Sequence, residues 1–129
     1  FGNSDVTAVH CISESIGALY DIPHGVANSI FLPHVLSYNL PECFVKMATL
    51  ARHIGIDEKD DMSAAKAFIQ KIKALSNRLG IPLFKDLKIG KDQFEIISKM
   101  SFENNSTPSN PRQLEQEDYH NILENAYES

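Results

Sequence analysis

Residues 10–39, HCISESIGALYDIPHGVANSIFLPHVLSYN, decide how the rest of this 129-residue sequence is interpreted. The segment contains three of the five histidines, at positions 10, 24 and 34, and a Pro-His-Gly sequence at 23–25. His10 and Glu14 are four residues apart, so on a helix they lie one above the other on the same face. A polar face of this kind is suited to lining a site, with helices on either side to support it.

Helical periodicity extends through the whole sequence, whereas patterns typical of β-strands are scarce. The length is that of one ordinary domain, and we therefore expect a single all-α domain over residues 1–129, a bundle of about six helices. The predicted helices run from Ser4 or Asp5 to about Leu19, from Pro23 through a kink at Pro33, from Pro41 to about His53, over about 17 residues that end at Gly80, from Lys91 to about Met100, and from Glu115 to Glu128. Residues 103–111 are predicted to form a polar loop.

Apolar residues at helical spacing predict which side of each helix is buried. They are Val6, Val9, Ile12, Ile16 and Leu19 in the first helix, Val26, Ile30, Phe31, Val35 and Leu36 in the second, Cys43, Phe44, Met47 and Leu50 in the third, Ala64, Ala67, Phe68, Ile72 and Leu75 in the fourth, Phe94, Ile96 and Ile97 in the fifth, and Tyr119, Ile122, Leu123 and Ala126 in the last.

Composition narrows the classes of partner. A net charge of −5 argues against binding to nucleic acid, which requires clustered Lys and Arg. No apolar run is long enough to cross a membrane. Cys11 and Cys43 form neither a CxxC motif nor a disulfide framework, which favours a reducing cytoplasm and buried, unreactive thiols.

A metal site is the chemistry that the histidines indicate most directly. Neutral imidazole binds Fe, Zn and Ni, and two histidines with a carboxylate can form part of such a site. His10, His24 and Glu14 are the candidates, provided that the helix faces meet across the link between them. An ordinary packing role remains open for each histidine, and it is the favoured interpretation for His34, His53 and His120. No GxSxG, GxGxxG or P-loop motif is present.

The run H-x3-(H/E)-x2-G-x-x-Y-x-I-P-H-G-x-A-N-x-x-x-L-P-H-V-x-x-x-N resembles the signature of the C-terminal helical domain of iron-containing alcohol dehydrogenases. Asn110-Pro111-Arg112 and the amphipathic segment after them are similar to the end of that domain. The resemblance implies a second, N-terminal domain that binds NAD or NADP. It also implies a metal, Fe(II) or Zn(II), held by one Asp and three His, which polarises the oxygen of an alcohol or carbonyl substrate during hydride transfer.

The resemblance assigns roles residue by residue. His10 is similar to the first histidine of the signature and His24 to its last ligand histidine, so both are expected to bind the metal. The remaining Asp and His ligands lie upstream of this signature. Many members of the family carry a second histidine, credited with proton transfer, where this chain has Glu14. We expect Glu14 to take over that catalytic role as a proton acceptor, and the alternative is that its carboxylate is an extra metal ligand.

The absence of an initiator Met favours the interpretation that the sequence is a fragment. On that basis the 129 residues alone are expected to be catalytically inert and to self-associate through apolar surface that otherwise faces the nucleotide-binding domain. A stand-alone helical interaction module built on the same scaffold is the alternative from another class. A Zn-dependent polyol dehydrogenase is an alternative within the family, less favoured by the PHGxAN block.

Overall fold

The computed structural model describes residues 3–105 and 114–128 and, for residues 3–7 and 105, the backbone alone. The described part contains α-helices and two short 3₁₀ helices, and it contains no β-strand, which confirms the predicted all-α fold. The helices are α1 (Asn3–Tyr20), α2 (His24–Tyr38), α3 (Leu40–His53), α4 (Asp61–Arg78), α5 (Phe94–Asn105) and α6 (Gln116–Glu128), and the 3₁₀ helices are Phe84–Leu87 and Lys91–Gln93. Among these helices none combines the length and apolarity needed to cross a bilayer.

The reversal between α1 and α2 positions the two histidines of interest. Asp21 lies in the left-handed region with φ of 55°, and its amide donates a hydrogen bond to the Gly17 carbonyl oxygen. Pro23 then precedes α2, so the helix begins immediately at His24. Because the link is only three residues long, the first turn of α2 returns close to the face of α1 that carries His10.

Helix boundaries follow the predicted signals at several points. The Asp60 side chain accepts a hydrogen bond from the Ser63 amide at 2.9 Å and caps α4. Gly55 and Gly80, with φ of 94° and 78°, follow the ends of α3 and α4 in a conformation that only glycine adopts readily. α2 continues through the buried Pro33 as one helix. The kink expected at that proline stays a prediction.

The fifth helix differs from its predicted bounds. Residues 91–93 form a 3₁₀ helix, and α5 begins at Phe94 and continues to Asn105, beyond the expected end at Met100. The predicted polar loop at 103–111 therefore starts inside α5, because Glu103, a good helix former, and Asn104 continue the helix. The remainder of that loop, and the sequence Asn110-Pro111-Arg112, lie outside the described residues.

The buried side chains form one large cluster and a smaller region beside it. The large cluster joins α1, α2, α5, α6 and the segment 84–89 around Phe31, Phe84 and Phe94. The smaller region lies between α3, α4 and the C-terminal half of α2, where Met47 and Ile69 are buried. Alanines line its other end, at Ala48, Ala51 and Ala64.

Several residues that were predicted to be buried are exposed. They are Leu19 (38%), Leu50 (36%), Leu75 (49%) and Ile96 (44%). Ile96 and Ile97 are neighbours, about 100° apart on a helix, so only Ile97 can join Phe94 in the core. Leu50 and Leu75 lie towards the C-terminal ends of α3 and α4, which pack mainly on each other. The apolar pattern of each helix therefore continues past the part of the helix that a neighbouring helix covers. The Val6 side chain lies outside the described residues.

Candidate metal centre

His10 and Glu14 form a polar pair on one face of α1. The His10 Nε2 atom lies 2.9 Å from Glu14 Oε1, as the spacing of four residues predicts. Their side chains are 53% and 50% exposed, whereas Val9 and Ile12 on the other side of the helix are buried. The amphipathic pattern of α1 therefore presents this pair to solvent at the surface of the domain.

His24 completes the group from the first turn of α2. Its Nε2 atom is 3.1 Å from His10 Nδ1, and the two ring centroids are 4.7 Å apart with an interplanar angle of 79°. The helix faces therefore meet across the α1–α2 link, which is the condition that the sequence left open.

The donors and acceptors of the group define a short hydrogen-bonded chain. A carboxylate only accepts hydrogen bonds, so His10 Nε2 donates to Glu14. In neutral His10 the Nδ1 atom is then the acceptor, and His24 Nε2 donates to it. The imidazole ring of His10 thus links His24 to Glu14 by two hydrogen bonds, and a proton can be shared along these bonds.

The distance between the two histidines fits a shared metal ion. Two nitrogens bound to one tetrahedral metal at ~2.0–2.1 Å lie about 3.3 Å apart, and the observed separation is 3.1 Å. Within residues 3–105 and 114–128, no group of three or more His, Cys, Asp or Glu is arranged to hold a metal. A metal held by His10 and His24 would therefore need further ligands from outside the described residues.

A concavity of about 270 Å³ lies beside His10, lined also by Val9, Asn28, Ser29 and Leu32. The Asn28 Oδ1 atom is buried and has no hydrogen-bond partner in the described part of the chain. Asn28 was not singled out from the sequence, although its position one helical turn after His24 is a signal that could have identified it. Its amide is a candidate polar contact for a molecule bound beside His10.

The other histidines lie apart from this pair. His34 lines a different cavity, where burial, and secondly the charge of Lys73, lower its pKa from 6.5 to about 4. His53 is in the last turn of α3, as a favourable interaction with the helix dipole predicts. His120 Nε2 forms a hydrogen bond of 3.1 Å with Glu124 Oε1. The structure therefore brings together His10 and His24 and no other histidine of the described residues.

Neither Cys11 nor Cys43 forms a disulfide. Cys11 is buried, and burial is the main reason that its pKa is raised, with the charge of Glu14 as a second cause. A thiol whose ionisation is disfavoured is a poor nucleophile and a poor metal ligand. Cys11 therefore belongs to the core although it is next to His10 in sequence.

The sequence and the all-α fold match a known protein family. The model of the Fe-containing alcohol dehydrogenase family, C-terminal, matches residues 1–127. The chain therefore belongs to the Fe-containing alcohol dehydrogenase family and corresponds to the C-terminal, all-α domain of its members.

Individual relatives show the same correspondence. 1,3-Propanediol dehydrogenase of Citrobacter freundii is 35% identical over 130 residues, which cover 98% of this chain and 34% of that protein. NAD-dependent methanol dehydrogenase of Bacillus methanolicus is 30% identical over 129 residues, covering 98% and 34%. A solved structure of 1,3-propanediol oxidoreductase gives a TM-score of 0.82 at 34% identity, covering 92% of this chain and 32% of that one. The chain thus spans about a third of the length of these relatives, which also contain an N-terminal part.

Proposed function

We propose that residues 1–129 form the metal-binding half of an NAD(P)-dependent alcohol dehydrogenase that interconverts alcohols and aldehydes or ketones. The observation that carries the proposal is the His10–His24 pair, whose ring nitrogens are 3.1 Å apart in a chain of the Fe-containing alcohol dehydrogenase family. Fe(II) or Zn(II), when bound, supplies Lewis-acid polarisation of the substrate oxygen, and NAD or NADP carries the hydride.

His10 and His24 would hold the metal, and Glu14 would handle the proton. Glu14 is half-exposed and bonded to His10 Nε2, so its carboxylate can accept the proton that leaves the alcohol. In the reverse direction the same carboxyl group would return the proton to the carbonyl oxygen. Asn28, beside the same concavity, would orient the substrate.

The other half of the site would come from a nucleotide-binding domain. His10 and His24 would supply two of the ligands, and the exposed position of His10 leaves room for a second domain to cover the site. We therefore expect residues 1–129 alone to show no alcohol-dependent reduction of NAD(P). The two cysteines form no disulfide, which favours a cytoplasmic location, where thiols stay reduced.

The test uses the protein in which residues 1–129 are joined to a nucleotide-binding domain. His10→Ala and His24→Ala should each lower bound metal, measured by mass spectrometry of the element, and alcohol-dependent NAD(P) reduction by at least about 100-fold. His53→Ala is the matched control, because His53 is exposed and lies outside the group. Glu14→Gln should retain the metal and lower kcat by roughly 10²–10⁴-fold.

Full metal content and activity in His10→Ala and His24→Ala would overturn the assignment of the ligands. If Glu14→Gln loses metal but its kcat per bound metal ion is unchanged, Glu14 does not transfer the proton, and the proton-transfer role is overturned.

We also propose that the protein forms homo-oligomers. Large apolar side chains are exposed on α3 and α4, at Val45 and Leu75, and immediately after these helices, at Ile54 and Leu79. Such surface favours association because it is removed from water in the complex. Sedimentation of residues 1–129 across micromolar concentrations should give a mean mass that rises with concentration, and a strictly monomeric species would contradict the proposal.

A further inference from the structure

A second cavity, of about 240 Å³, lies between α2, the C-terminal half of α4 and the segment after α4, and it shares Ser29 with the concavity beside His10. Its walls are mainly apolar and include Ile30 and Pro33 of α2 and Ile81, Pro82 and Phe84 of the following segment. None of the residues His10, Glu14 and His24 lines this cavity. Because a water molecule occupies about 30 Å³ in the liquid, this volume accommodates about eight groups of that size.

Lys73 gives the cavity a positive charge. Neither Asp nor Glu lines the cavity, and Lys73 forms no ion pair within the described part of the chain. The Lys73 side chain is partly buried, so part of its hydration is lost without a compensating anion. An anionic group placed in the cavity would restore that missing interaction.

His34 provides a second polar group in the same cavity. Its pKa of about 4 keeps the imidazole neutral at pH 7, so the ring has one N–H donor and one acceptor. His34 makes no hydrogen bond to any other described residue. The cavity therefore offers a cation and a neutral hydrogen-bond donor beside an apolar wall.

We propose that this cavity binds a short-chain carboxylate, with the carboxylate on Lys73 and His34 and the alkyl chain against Ile30, Ile81 and Phe84. A carboxylic acid with a chain of about six carbons has about the number of heavy atoms that the volume allows. The apolar lining favours such an amphiphile over a free inorganic anion, which would leave that surface unsatisfied. The site shares no residue with the proposed metal ligands, so the two proposals stand or fall separately.

Hexanoate is the probe, and its binding to the full chain is measured by calorimetry. Lys73→Met keeps the length and apolar stem of the side chain but removes the charge, and it should weaken hexanoate binding at least 10-fold. Lys66→Met is the matched control, because Lys66 is exposed on the same helix and lines none of the cavities described above, and it should bind as the parent does. Hexanamide should bind at least 10-fold more weakly than hexanoate to the parent chain.

NMR of the imidazole nitrogens supplies an independent readout. Hexanoate should shift the His34 signals and leave those of His10 and His24 unchanged. Absence of hexanoate binding, equal binding by Lys73→Met, or equal binding of hexanamide would each overturn the proposal. Competition by inorganic phosphate at equal concentration would show that the cavity recognises the anion alone, and it would overturn the role of the apolar wall.

Discussion

His34 shows how one side chain couples the stability of the domain to pH. Its folded-state pKa of about 4 is below the ordinary 6.5, so the unfolded chain binds a proton more readily than the folded one. The contribution of His34 is therefore complete above pH 6.5 and is lost as the pH falls from 6.5 to 4. The difference corresponds to about 3 kcal/mol.

Urea unfolding of the parent chain and of His34→Gln measures this contribution. Gln is neutral at every pH, so the variant should lose less stability than the parent between pH 6.5 and 4. His53→Gln is the comparison variant, because it removes an exposed histidine in place of a buried one. Parallel curves for the parent and His34→Gln would show that burial of His34 does not produce the pH dependence.

Among the individual residues, the positions of His10, Glu14 and His24 were predictable from the sequence, whereas the surroundings of His34 were not. Spacing along a helix placed His10 and Glu14 on one face, and the three-residue link made contact with His24 possible. The environment of His34 was not predictable in this way. It depends on where Lys73 comes to lie, and that follows from the packing of α4 on α2, which no local pattern in either helix specifies.

At the scale of elements, the segment between α4 and α5 is held by one aromatic side chain. Phe84 is 1% exposed, and its ring is 4.9 Å from that of Phe31 and 5.5 Å from that of Phe94, measured between centroids. The segment contributes little regular hydrogen bonding of its own, since its two 3₁₀ helices have only four and three residues. Phe84 therefore anchors the segment to α2 and α5.

Phe84→Ala should lower the free energy of unfolding by about 3–5 kcal/mol, because it removes an aromatic ring from a closed core. Leu83→Ala is the adjacent control: Leu83 is 48% exposed, so its truncation should cost under about 1 kcal/mol. Urea unfolding measures both. Similar losses for the two variants would show that the segment is not anchored through Phe84.

Helix identity was more predictable from the sequence than helix length or burial. Capping residues and glycines gave the ends of α3 and α4, because these signals act through bonds within one turn. α5 extended beyond its predicted end because its weakly helical residues continue an established helix. Ile96 was wrongly predicted to be buried, since adjacent apolar residues do not reveal which of them faces a neighbouring helix.

For the whole molecule, the approximate number of helices and the family were predictable from the sequence. The separation of the buried side chains into a large cluster and a smaller region was not predictable. α1, α2, α5 and α6 share the large cluster around Phe31 and Phe94. α3 and α4 pack mainly on each other and meet the rest chiefly through α2. Amphipathic patterns show that each helix buries one side, but they do not state which helices bury their sides together.

The division of the core has a consequence for how the protein opens. Fewer buried apolar side chains join the α3–α4 pair to the remainder than join the other helices to one another, so the pair should unfold locally while the large cluster stays intact. Amide hydrogen exchange should therefore show one shared, faster rate for α3 and α4, and uniform rates across all six helices would contradict this. The cavity of Lys73 and His34 lies where α4 meets α2, so an occupant would hold the two parts together and slow that exchange.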